Sequence, residues 1–215
     1  MIGKHYILTG GTSGLGKAIL KILLKKRVFV TVIVRNPQKL DDIIAQYGTE
    51  HLSIIQCDLQ SQAQILKLKH HLQDQSIDGL IYSSGLGYFK SIEQHSIDEM
   101  LETYTLNIMN FNILMTAIQP FLSTHPSIVG IGSQSAFLTQ AYAAHYVAAM
   151  PQLISANRKG KFILPVTKDI RFHPCQLHSL SHGIAFFHTT PPHEIVAVHK
   201  TNRSGCQTAS VWTIA

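Results

Sequence analysis

A glycine-rich stretch, Thr9-Gly-Gly-Thr-Ser-Gly-Leu-Gly16, follows a short apolar run and opens a helical pattern. Glycines let the backbone turn tightly and approach a pyrophosphate, whose charge is met by free N–H groups at a helix N-terminus. An ordinary glycine turn would explain the glycines alone; their place between a strand and a helix is what points to a dinucleotide. A second clue lies at the end of the next strand. NAD sites place an acid there, about 20 residues beyond the glycines, to bind the ribose 2′-hydroxyl. This chain has Arg35, nineteen residues after Gly16, followed by Asn36. A guanidinium pairs bidentately with a 2′-phosphate, so NADP is expected in preference to NAD. Other chemistry has less support. Six of the thirteen histidines (His173, His178, His182, His188, His193 and His199) fall in the last 65 residues. His178 and His182 are four apart, but no HExxH pair or suitably placed carboxylate accompanies them, so no metal is expected. Gly132-Ser133-Gln134-Ser135 lacks the second glycine of a nucleophile elbow, which argues against a hydrolase.

The elements that must position these residues alternate regularly as far as Met150. Tyr6-Ile-Leu-Thr9 reads as a strand, and Ala18, Ile19, Ile22 and Leu23 give the Lys17–Lys26 stretch a helical period. Val28–Val34 is a β-branched run suited to a parallel strand covered on both faces. Pro37 marks a first helical turn, with Leu40, Ile43, Ile44 and Tyr47 as its stripe and Gly48 as its end. Strands are expected at Ser53–Gln56, Gly79–Tyr82 and Ser127–Ile131. Helices are expected around Ile65–Leu72, from Asp98 to Gln119, and from about Ala141 to Met150. This β-α alternation implies an α/β fold, a doubly wound parallel sheet of the Rossmann type in a single domain. Residues 1–150 form the NAD(P)-binding core, and 151–215 form a divergent C-terminal segment. In that segment Pro151, Pro165, Pro174, Pro191 and Pro192 break the rhythm; Ile163-Leu164, Ile184–Phe187 and Ile195–Val198 are candidate strands.

The glycine spacing Thr-Gly-x-x-x-Gly-x-Gly (Gly10, Gly14, Gly16) resembles that of the short-chain dehydrogenase/reductase family over about residues 4–150. Asp58-Leu59 follows strand three, where members bind the adenine ring with an Asp. Ser83-Ser84-Gly85 follows strand four, where members usually carry Asn-Asn-Ala-Gly. Asn107, within Thr105-Leu106-Asn107, matches the family's catalytic asparagine; Ser133 and, thirteen residues later, Tyr146 match its serine and tyrosine. The resemblance implies a cofactor site made by Thr9, Gly10, Thr12, Ser13, Gly14, Leu15, Gly16, Arg35, Asn36, Asp58, Leu59, Ser84 and Gly85. It also implies hydride exchange between a nicotinamide and a small carbonyl or alcohol. Tyr146 would exchange the proton, Ser133 would polarise the oxygen, and Asn107 would hold a water in the relay. Tyr142 and Ser135 stand at the wrong spacing for these roles. Homo-dimers or homo-tetramers are also implied.

One member of the constellation is missing. The family's Tyr-x-x-x-Lys is here Tyr146-Val-Ala-Ala-Met150. A free phenol ionises near pH 10, and an ammonium one helical turn away favours the phenolate; methionine offers neither charge nor donor. Lys159 and Lys161 are too far along the chain to replace it on the same helical face. Asp169-Ile-Arg-Phe-His-Pro-Cys175, the nearest counterpart of the family's substrate-loop entry, has Pro-Cys for Pro-Gly. Loss of the lysine, loss of periodicity and a basic shift all begin near Met150, as a reading-frame change would produce. Ser133, Asn107 and Tyr146 favour an oxidoreductase; Met150 favours a non-catalytic dinucleotide-binding member, a sensor or interaction module; and the tail alone favours a frame-altered, impaired product.

Composition narrows the classes further. The net charge is +6, but residues 1–150 carry 11 Lys+Arg against 10 Asp+Glu, so the excess lies in the tail without a run or an aromatic stripe. Nucleic acid is therefore not an expected partner. No apolar run reaches the roughly 18 residues of a membrane span. Cys57, Cys175 and Cys206 form no CxxC pair, and the first residues do not read as a secretory leader. A cytoplasmic location is expected.

Overall fold

The computed structural model describes residues 3–133, 135 and 141–150, together with the backbone of 186–187, 195–200 and 207–212. Five parallel strands alternate with helices. They are β1 (His5–Thr9), β2 (Phe29–Val34), β3 (Leu52–Gln56), β4 (Ile77–Tyr82) and β5 (Leu122–Ile131). Between them lie α1 (Gly14–Lys25), α2 (Asp41–Tyr47), α3 (Gln62–Lys67), and a helical run of α4 (Ile97–Tyr104) and α5 (Asn110–Ile118). Residues 144–150 form a further helix, α6. Most elements lie within a few residues of their expected bounds. The largest extension is β5, which starts five residues before Ser127, and α6 starts three residues after Ala141.

The sheet runs β3-β2-β1-β4-β5, and β6 (Phe186–Phe187) adds antiparallel to β5. A separate antiparallel pair joins β7 (Ile195–Lys200) to β8 (Gln207–Trp212). Candidate strands at 184–187 and 195–198 thus have counterparts, whereas Ile163-Leu164 lies outside the described residues.

Side-chain alternation along each strand builds two cores. Ile7, Ile33 and Leu80 face α3 and α5 with Leu68, Phe111, Leu114 and Met115. Leu8, Val32 and Ile81 face α1 and α2 with Ile19, Leu20, Leu23 and Ile43. Burial on both faces explains why β2 reads as an unbroken apolar run.

The chain leaves β3 at one edge and re-enters at β4, beyond β1. That reversal of winding opens a crevice at the carboxyl ends of β1 and β4, the usual ligand position in such sheets.

The expected long helix, Asp98–Gln119, is interrupted. Ser96 and Glu99 form a reciprocal capping box at its start, and Thr105–Met109 make a π-turn between α4 and α5. Such turns insert one residue into a helix and often occur at functional sites. This one contains Asn107.

Candidate functional site

A cleft of about 730 Å³ opens at the carboxyl ends of β1–β5. Each strand contributes its exit: the glycine loop after β1, Arg35 after β2, Asp58 and Leu59 after β3, Ser83–Gly87 after β4, and Ile131–Ser133 after β5. Tyr146 of α6 closes one side.

The loop after β1 depends on its glycines. Gly10 has φ +71°, and a Cβ there would stand 2.7 Å from the Ser83 carbonyl oxygen. A Cβ on Gly16 would stand 2.1 Å from the Gly10 oxygen, so the first turn of α1 folds directly against the loop. At Gly14 a Cβ would meet open space, and the glycine leaves the backbone bare toward the cleft. No acid sits in the first turn of α1, and the Ser13 side chain does not cap it. The loop therefore presents backbone N–H groups to an anion. Thr9 does not line the cleft. It is fully buried, and its hydroxyl accepts hydrogen bonds from Ser83 N–H (3.1 Å) and Ser84 N–H (3.2 Å), tying the ends of β1 and β4 together.

Arg35 is exposed at the cleft, and no described carboxylate pairs with its guanidinium. Asn36 lies outside the lining and accepts from Gln38 N–H at 3.1 Å, a local cap. Asp58 accepts from Gln60 N–H (2.9 Å), while its own N–H donates to Gln64 (2.8 Å), fixing the turn after β3. The Cys57 thiol beside it is pushed up to about 11 by burial and the neighbouring Asp58 charge, so it stays protonated.

The helical run anchors the far wall at several points. Asn107, 1% exposed, accepts from Leu86 N–H (3.1 Å) and donates to the Leu86 carbonyl (2.6 Å). Its side chain thus grips the loop after β4. Asn110 donates to the Leu59 carbonyl. Tyr82 donates to the Leu106 carbonyl at 2.6 Å.

Ser133 and Tyr146 both line the cleft. The Ser133 hydroxyl lies 3.2 Å from that of Ser135 and accepts from Ser135 N–H. The Tyr146 ring covers Gly87, where a Cβ would come within 2.7 Å, and tilts against Phe89 at 5.7 Å. Met150 faces elsewhere: it is 2% exposed among the apolar side chains that include Phe111 and Leu114, and is not part of the cleft lining. Arg35 is the one cation among the described lining residues.

The cleft thus unites Gly10, Thr12, Ser13, Gly14, Leu15, Gly16, Arg35, Asp58, Leu59, Ser84, Gly85, Ser133 and Tyr146; Thr9 and Asn107 are buried behind it, and the exposed Asn36 lies outside the lining. Sequence reasoning missed Gly87, Leu86 and Phe89. Gly85-Leu-Gly87 carried the signal, since a second glycine so near a strand end marks a close approach. The clustered histidines of the tail fall outside the described side chains. Among the described residues, no group of three or more His, Cys, Asp or Glu could hold a metal, and no helix is long and apolar enough to cross a membrane.

Comparison with known proteins agrees with this geometry. The very-long-chain 3-oxoacyl-CoA reductase of Anas platyrhynchos is 32% identical over 119 residues, 53% of this chain and 37% of that protein. A crystal structure of a short-chain dehydrogenase/reductase of the glucose/ribitol dehydrogenase type from Brucella melitensis superposes with TM-score 0.69. It shows 24% identity over 74% of this chain and 68% of that one. The structure of BdcA in complex with NADPH gives TM-score 0.65 at 18% identity, over 73% and 63% of the two chains. The chain spans roughly half the length of the curated relatives it matches. The short chain dehydrogenase family pattern matches residues 4–157, nearly three quarters of the sequence, and the chain belongs to that family.

Proposed function

We propose that the protein is an NADP-dependent oxidoreductase that exchanges hydride between the nicotinamide and a small carbonyl or alcohol substrate. The Arg35 guanidinium at the exit of β2, which pairs with no described carboxylate and shares the cleft with the bare glycine loop, carries the cofactor part of this reading. A 2′-phosphate fits a guanidinium and would be repelled by the carboxylate that NAD sites use. The related fold of BdcA holds NADPH, which supports the same choice. The glycine cradle, Arg35 and Asp58 would hold the dinucleotide, which supplies the hydride.

Tyr146 and Ser133 flank the space beside it. Ser133 would donate a hydrogen bond to the substrate oxygen, and Tyr146 would hand it a proton. A lysine one helical turn along would assist the proton exchange at Tyr146; the buried Met150 offers neither charge nor donor, so the expected turnover is slow.

Met150 also favours a second reading, in which the chain binds the dinucleotide without turnover. One experiment separates them: NADPH oxidation with a panel of aldehydes and ketones, for wild type and Tyr146→Phe. The proposal expects slow turnover that falls about 100-fold or more in the variant, the usual scale of a lost general acid. NADPH binding with no turnover on any carbonyl would replace it with the second reading.

A further inference from the structure

We propose that Tyr82 is a positioning residue that, by fastening the π-turn through the Leu106 carbonyl, fixes the Asn107 clamp on Leu86 and so the loop over which Tyr146 packs. This inference rests, for its functional consequence, on reading the cleft as a cofactor site.

Tyr82 is the last residue of β4, immediately before Ser83-Ser84-Gly85. Its side chain is fully buried, meets Phe111 edge-on at 5.1 Å, and ends in a 2.6 Å hydrogen bond to the Leu106 oxygen. A phenol in the core is otherwise unfavourable, because an unpaired hydroxyl there loses its hydration. Here the partner is specific. The π-turn at 105–109 departs from the regular i→i−4 ladder, and its carbonyls take side-chain donors: Leu106 from Tyr82, Ile108 from Asn112 at 2.9 Å. Burial also drives Tyr82 ionisation far upward, so the hydroxyl remains a donor at any working pH.

The next residue after Leu106 is Asn107, whose amide holds both backbone groups of Leu86. Gly87 follows and supports the Tyr146 ring. Three hydrogen bonds therefore run from the end of β4 through the helical run and back to the loop that β4 itself feeds. The circuit is closed: Tyr82 and Leu86 are four residues apart in sequence, and each is held by one of two adjacent residues in the turn. A phenylalanine would fill the same core volume but leave the turn unfastened. The hydroxyl, not the ring, is the positioning element.

The test is amide hydrogen exchange on the full chain, comparing Leu86 with the β1 amides, in wild type, Tyr82→Phe, Asn107→Ala and the double variant. Tyr82→Phe should speed Leu86 exchange by about tenfold relative to β1, the scale of one lost buried hydrogen bond. It should have no further effect on Leu86 once Asn107 is alanine. NADPH titration of Tyr82→Phe should show weakened binding, by about threefold or more. An unchanged Leu86/β1 ratio, or an equal Tyr82→Phe effect with and without Asn107, overturns the proposal and leaves Tyr82 a core residue only. Failure of the wild type to bind NADPH overturns the cofactor reading instead, and the exchange ratios decide the tether in either case.

Discussion

At position 150, where the resemblance implies a lysine, the chain carries a packing group. Met150 is 2% exposed within the core built around Phe111 and Leu114, one helical turn beyond Tyr146. Restoring the lysine therefore places an ammonium among apolar side chains. Met150→Lys should lower the unfolding free energy by about 2 kcal/mol in urea titrations of the apo chain. It should not simply restore a missing charge to a waiting site. The same scale explains what sequence could and could not tell. Residue type and spacing sufficed to put Arg35, Asp58 and Ser133 at strand exits on the cleft and Tyr146 on the helix beside it. They did not show that Thr9 and Asn107 lie off the cleft lining. Both carry polar groups that look free for chemistry in a sequence, yet these are engaged by the backbone of Ser83, Ser84 and Leu86.

The glycine loop and the interrupted helix are the two elements that shape the cleft. In the loop, close approach rather than φ matters most at Gly16, where a methyl group would stand 2.1 Å from the Gly10 oxygen. Gly16→Ala must push α1 away from the loop. It should cost about 2 kcal/mol or more of stability, and should abolish dinucleotide binding at concentrations that saturate wild type; denaturation and fluorescence titration on the same preparation check both. This element was readable in full, since glycine spacing is a direct record of backbone demands. The helix was readable only as a stretch from Asp98 to Gln119. Its π-turn leaves no strong periodic mark over five residues, and Thr105-Leu-Asn-Ile-Met109 continues the apolar stripe without a break. Only the hydrogen bonds of Leu106, Asn107 and Ile108 show where the ladder shifts.

Across the whole molecule, the winding of the sheet assigns its two ends different tasks. The carboxyl ends of the strands make the cleft, while the opposite ends hold His5, whose ring lies 2.7 Å from the Thr31 hydroxyl, with its backbone N–H on Asp78. Burial holds His5 below the ordinary histidine value, and the Asp78 charge only partly offsets this. The unfolded chain therefore takes up a proton at this residue before the folded chain does. Stability at His5 is undiminished above the ordinary histidine range and declines as pH falls from that range toward the lowered value. Urea unfolding at pH 7.5 and 5.5 should show wild type losing more stability than His5→Gln across that interval. The parallel, doubly wound character of the sheet was implied by the β-α alternation, because a crossover helix returns the chain to a parallel strand, but the order β3-β2-β1-β4-β5 was not. The antiparallel additions β6 and β7–β8 follow no such rhythm, which is why short apolar runs in the tail identified two of those strands but not β8 or any partner.

Under the proposed function, Arg35 makes this cleft select a 2′-phosphorylated dinucleotide. Fluorescence titration of the purified full chain with NADPH and NADH, beside Arg35→Glu, tests it most directly. Wild type should bind NADPH at least tenfold more tightly than NADH, and Arg35→Glu should erase the preference by weakening NADPH alone. Equal affinity of wild type for both cofactors, or an NADPH preference that survives in Arg35→Glu, would contradict it.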